Sequence, residues 1–182
     1  MASIILRPTS GSGSNWNNIT NAYDGNESTN ASVSVSLFSS PRTLTLNFDT
    51  SVIPSGATIN SATLTLRSKA GKTTITALVD INGNSEYRVI SQKQSTKVTN
   101  YTADVTSYIS DLTSVDVSAS NDNWSGNTFE LYELWIDVDY TEPTTPTNTL
   151  NIKLGATTIN NICIGNAKVT KVYIGNTLVF KN

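Results

Sequence analysis

The chain has 182 residues, a formal net charge of −2 and no histidine, which excludes a Ser-His-Asp or Cys-His triad, a histidine-liganded zinc and a histidine pH switch. Cys163 is the single cysteine, so no disulfide closes within the chain and no cysteine-only metal site can be built. Ser, Thr and Asn supply 71 residues and the charged types only 14 %, yet 37 % hydrophobic residues leave enough to fill a core, so the composition suits a polar-surfaced, folded, non-enzymatic domain without a cofactor.

Met1–Pro8 lacks the basic start and long apolar run of a signal peptide, and no stretch approaches the ~18 apolar residues of a membrane span. A Ser/Thr/Asn-rich exterior without an export signal is expected of a protein made in a host cytoplasm, assembled there into a particle and released by lysis. Trp16 and Tyr23 follow in Asn/Ser/Gly-rich surroundings.

From there, period-two alternation dominates. Val33, Val35 and Leu37 alternate with serines, Leu44, Leu46 and Phe48 with polar residues, and Ala62, Leu64 and Leu66 with Ser and Thr. Pro54-Ser-Gly56 is a turn, Thr73–Val79 a further strand, and Asn82-Gly83 a hairpin signal. Val105, Tyr108, Ile109 and Leu112 have helical spacing, with Thr102 or Asp104 as cap. The longest alternation is Tyr132, Leu134, Ile136, Val138 and Tyr140, with Glu133, Asp137 and Asp139 opposite. Trp135, alongside Phe129 and Leu131, then forms a second apolar patch, as if this strand were covered on both sides or helped form a subunit contact. Half-buried strands with one short helix predict an all-β chain, an antiparallel β-sandwich of jelly-roll type over residues 1–140.

Residues 141–149 hold two of the five prolines and no large apolar residue, and read as a semi-rigid linker. Residues 150–182 repeat at a period of ten, with glycine at 155, 165 and 175 and apolar residues at 152/162/172, 154/164/174 and 159/169/179. Three hairpins joined by Gly-Ala or Gly-Asn turns are expected. Such a unit falls below the ~40 residues at which a domain closes its own core, so its apolar positions await cover. Ile152, Leu154, Ile162, Ile164, Val172, Tyr173, Ile174 and Val179 are the expected docking residues. Residues 1–149 carry a formal −6 and the repeats +4, which suits docking on an acidic surface, or equally lysines that keep strand edges soluble.

Val52-Ile-Pro-Ser-Gly-Ala-Thr-Ile-Asn-Ser-Ala-Thr-Leu-Thr-Leu-Arg67 resembles a segment of DNRLRE-type surface β domains and of many phage structural proteins. Asp104–Ile109 resembles the short "DVT" helix of such domains, and Ala22–Ser32 a segment of phage-encoded carbohydrate-binding-like modules. Val172–Val179 resembles the C-terminal hairpin tags of minor structural proteins in tailed phages. The resemblance implies a non-enzymatic virion protein on the particle exterior, a capsid decoration or head fibre, with other virion proteins of capsid or tail and further copies of itself as partners. A tail or baseplate module that recognises host surface polysaccharide is the alternative.

For that alternative the candidate glycan-binding residues are Trp16, Tyr23 and Trp124, because loop aromatics stack on sugar faces while neighbouring Asn and Asp bond hydroxyls. Asp80, Asn82, Asn84 and Glu86 have the alternating oxygens of a calcium loop, but the glycine stands at the fourth position and Ser91 where a bidentate Glu belongs, so a hairpin turn accounts for them and no metal is assigned. Scattered cations and negative net charge argue against nucleic acid.

Overall fold

The computed structural model describes residues 1–36, 40–124 and 126–143 in full, and 152–154, 157–159, 163–164, 167–168, 171–174 and 177–181 as backbone. The chain divides into two compact units, Met1–Pro143 and Thr144–Asn182.

The first unit contains β1 (Ala2–Leu6), β2 (Ser10–Ser12), β3 (Ala31–Val35), β4 (Arg42–Asn47), β5 (Thr58–Ala70), β6 (Ile75–Ile81), β7 (Asn84–Lys93), β8 (Thr99–Asp104), β9 (Ser114–Asn121) and β10 (Asn127–Thr141). Two 3₁₀ turns, Ile19–Ala22 and Thr106–Asp111, interrupt them. One antiparallel sheet places β5 between β10 and β8; the free edge of β10 is shared by β3 along its first half and β1 along its second. The other runs β2-β4-β9-β6-β7. This is the antiparallel sandwich the alternation predicts.

The core lies between the sheets. Leu44, Leu46, Leu64, Leu66, Ile75, Val79, Val115 and Val117 are all buried, each from the apolar side of an alternating strand. Burying such a side chain stabilises by about 1.5–3 kcal/mol, which offsets the entropy of ordering these strands. The β9 contribution, Val115, Val117 and Ala119, comes from a run so rich in Ser and Asp that its alternation is weak in the sequence.

β10 departs from the expected pattern. Leu131 pairs with Ser68 and Glu133 with Arg67, so Tyr132 is an extra residue, a β-bulge. One inserted residue reverses which side chains face inward. Phe129 and Leu131 therefore enter the same core as Leu134, Ile136 and Val138, and the second apolar patch does not form. Trp135 alone turns to the outer face, where its Nε1 donates to Asp137 Oδ2 at 2.9 Å. Tyr132, expected in the core, is only half-buried and donates its hydroxyl to Glu130 Oε2 at 3.0 Å. Glu133, expected on the wet face, is completely buried.

The predicted helix is a 3₁₀ turn. Val105, Ile109 and Leu112 are buried as their spacing requires, while Thr102 belongs to β8. Asp104 Oδ1 accepts from the Thr106 N–H at 2.9 Å, but the N-cap position is Val105, which makes no side-chain cap bond, so neither expected cap residue takes that place. Leu112 is already extended, so the segment ends after two turns' worth of residues, a length suited to 3₁₀ bonding. The other turn signals hold as well. Asn82 and Gly83, at φ 53° and 67°, form the left-handed pair of a two-residue hairpin. Ala57 donates its N–H to Pro54 O at 3.0 Å, with Gly56 at φ 83°.

The second unit contains three antiparallel hairpins: β11 (Ile152–Leu154) with β12 (Thr157–Ile159), β13 (Cys163–Ile164) with β14 (Ala167–Lys168), and β15 (Lys171–Ile174) with β16 (Thr177–Lys181). Among the described residues each forms its own two-stranded sheet. Ile152 pairs with Ile159, Leu154 with Thr157, Ile164 with Ala167, and Val172 with Phe180. A register shift between Val172 and Tyr173 leaves Val179 unmatched. Residues 144–151, Ile162 and the turn glycines lie outside the described residues, as do the side chains of all the expected docking residues.

Candidate ligand cleft at one end of the sandwich

At one end of the sandwich the last residues of β3, the first of β4 and the first of β10 enclose a cleft of about 270 Å³. Ser34, Val35, Ser36, Arg42, Gly126, Asn127 and Thr128 line it. The register places these groups: Asn127 pairs with Val35 and Arg42 with Ala119. Asn121 fixes the floor by donating its Nδ2 to Val35 O at 3.1 Å. Asn127 is itself held, giving Nδ2 to Lys72 O at 3.2 Å and accepting from the Thr128 N–H at 2.9 Å. Gly71 is required beside it, because a Cβ there would lie 2.6 Å from Asn127 Oδ1. The walls are polar and preorganised. Arg42 Nε is buried and has no hydrogen-bond partner among the described residues.

Trp124 stands two residues before Gly126, in the loop between β9 and β10, and is 77 % exposed. It is the one candidate aromatic that presents its ring to solvent. Trp16 is only 7 % exposed and meets Phe129 edge-on, with ring centroids 5.9 Å apart at 87°. It closes the end of the core. Gly13 lets the chain lie flat there, since a Cβ would sit 2.8 Å from Thr43 O and 2.9 Å from Trp16 Cδ1. Tyr23 is half-buried and packs over Gly11, where a Cβ would come 3.2 Å from Tyr23 Cε1. The structure thus separates the three rings: two build the wall and Trp124 faces outward.

Of the residues considered for calcium, Asp80, Asn82 and Asn84 have side-chain oxygens engaged by protein groups. Arg88 donates to both oxygens of Asp80, Nε to Oδ1 at 2.8 Å and Nη2 to Oδ2 at 3.0 Å. Asn82 Oδ1 accepts from the N–H groups of Thr113 and Ser114, at 2.8 and 3.1 Å. Asn84 Oδ1 takes the Glu86 N–H at 3.0 Å, and Glu86 is exposed. Together they tie the β6–β7 hairpin to the start of β9.

The Asp24 loop is similarly self-bonded. Asp24 accepts from the Asn26 N–H and the Thr29 hydroxyl, both at 2.8 Å. It docks on the bulge through Glu133 Oε1, which lies 3.3 Å from both the Gly25 N and Arg7 Nε. Oε2 of that carboxylate has no hydrogen-bond partner among the described residues. Burial raises the Glu133 pKa above the ordinary carboxylate value, against the opposing pull of Arg7 and the Gly25 N–H; Asp24 adds to the rise. Arg42 and Glu133 were not legible as special in the sequence. A lone Arg opening a strand and an acid in an alternating run carry no signal until their neighbours are known.

No family model and no curated protein matches the sequence. Among solved structures, the chain is similar to a truncated AlyQ with CBM32 and alginate lyase domains, at 12 % identity and a TM-score of 0.47, over 82 % of this chain and 37 % of that one. It is similar to the CBM36-1 domain of a multidomain xylanase from the hindgut metagenome of Trinervitermes trinervoides, at 12 % identity and TM-score 0.40, over 78 % of this chain and 99 % of that one. It is also similar to a family 29 carbohydrate-binding module from Piromyces equi, at 12 % identity and TM-score 0.41, over 75 % of this chain and 91 % of that one.

Proposed function

We propose that the chain is a non-enzymatic glycan-binding module that takes a sugar at the β3/β4/β10 cleft. The observation that carries the reading is Trp124, an indole 77 % exposed that stands two residues before Gly126 of the polar, preorganised cleft. An exposed indole accepts the C–H face of a pyranose, while Ser and Asn side chains bond its hydroxyls. Trp124→Ala is expected to weaken binding to the cognate glycan by about tenfold or more while leaving thermal stability nearly unchanged, because an exposed side chain contributes little to the fold. Calorimetric titration beside a melting curve checks both. Unchanged affinity would remove the cleft from the reading.

The C-terminal repeats supply the second half of the proposal: they mount the module on a larger assembly. An isolated two-stranded hairpin is marginal in water, and these hairpins carry four lysines, no acid, and apolar residues at each repeat. In the setting implied by the resemblance to tailed-phage proteins, other capsid or tail proteins and further copies of the chain would cover them on the virion exterior. Truncation after Pro143 is expected to leave glycan binding in place and abolish attachment to particles, read by sedimentation of particles mixed with either form. Full occupancy by the truncated protein would defeat the mounting role.

A further inference from the structure

We infer that the cleft selects a sugar bearing a carboxylate, a uronate, and that Arg42 recognises it; this rests on the glycan-binding reading above. Residues 1–149 hold eight Lys and Arg against fourteen Asp and Glu. Five of those eight cations have carboxylate partners: Arg7–Glu133 at 3.3 Å, Arg67–Glu27 at 3.4 Å, Lys69–Glu130 at 3.1 Å, Arg88–Asp80 at 2.8 Å and Lys93–Asp122 at 3.6 Å. Arg42 makes no ion pair among the described residues, although acids outnumber bases over residues 1–149.

Among the described residues the cleft lining contains no carboxylate either; Ser34, Val35, Ser36, Gly126, Asn127 and Thr128 stand beside the guanidinium. Arg42 Nε is itself buried, without an acceptor among the described residues, so a ligand in the cleft meets the guanidinium at its outer nitrogens. The two outer Nη–H groups form a planar fork that fits both oxygens of a carboxylate. A neutral hydroxyl would satisfy the hydrogen bond and leave the charge uncompensated. The acidic body repels a polyanion at long range, so selection for an acidic sugar must come from this local contact and not from the overall field.

The test is the full-length chain on an array of neutral oligosaccharides, uronate oligosaccharides and the methyl esters of those uronates, at about 0.15 M salt. Binding is expected to uronates, weaker by about tenfold or more on their esters. Arg42→Met should bind acid and ester alike, and Arg42→Lys should recover part of the preference. Signal confined to neutral sugars, equal signal on acid and ester, or a preference that survives Arg42→Met overturns the uronate assignment and leaves the glycan reading intact. A wholly blank array removes both. The acid-against-ester comparison on the unaltered protein decides the matter even if Arg42→Met does not fold.

Discussion

Trp16→Ala is expected to lower the unfolding free energy by about 3–5 kcal/mol, one of the largest effects of any single substitution in this chain. The indole is almost wholly buried and lies edge-on to Phe129, itself fully buried. Removing it opens a cavity at the end of the core that Gly13, held against Thr43 O, cannot collapse to fill. For a domain of this size the melting temperature should fall by about 10 °C. The fraction that remains folded should keep its glycan affinity, since the ring does not face the solvent. A melting temperature within a degree or two of the parent's, with binding lost, would return Trp16 to the role of sugar platform.

The second large effect concerns the buried ion pair at the bulge. Arg7→Met is expected to cost about 3 kcal/mol at neutral pH, the lower end for a broken buried pair because Arg7 keeps 38 % of its side chain in solvent. The accompanying pH dependence has a definite sign. Burial raises the Glu133 pKa above its ordinary 4.5, so the folded protein holds this proton more tightly than the unfolded chain. Its contribution to stability is therefore greatest below 4.5 and declines as pH rises through the folded value. Glu133→Gln removes that decline, so its melting temperature should gain on the parent's between pH 4.5 and 7. Asp49 and Asp104, whose pKa values are lowered by hydrogen bonds from Ser51 and Thr106, act in the opposite sense and cancel in the comparison. Arg7→Met should steepen the decline by removing the opposing charge. A parent-minus-Gln difference that stays flat across this range would show that Glu133 titrates as it does in the unfolded chain.

Alternation at Leu44–Leu46, Ala62–Leu66 and Ile136–Tyr140 names strands and their inner faces, because a half-buried strand meets water and core on successive residues. Asn82-Gly83 and Pro54-Ser-Gly56 name their turns, because few residues tolerate a positive φ. Those are local constraints, and local residues satisfy them.

The bulge at Tyr132 is different. It is defined by register against β5, and it decides that Phe129 and Leu131 share the core with Leu134 while Trp135 stays out; Glu133, on the same face as Trp135, is buried only because Arg7 and the Asp24 loop cover it. Trp16 and Trp124 sit in similar Asn/Ser/Gly-rich sequence, yet one finds Phe129 across the sandwich while the other projects from the β9–β10 loop. Arg42 gains its meaning only where β3 and β10 bring Ser34 and Asn127 beside it and no acid. Sequence by itself thus determined the strands, the turns and the absence of histidine and disulfide chemistry. Tertiary structure alone decided which polar and aromatic side chains are wall and which are site, because burial and charge pairing depend on neighbours distant along the chain.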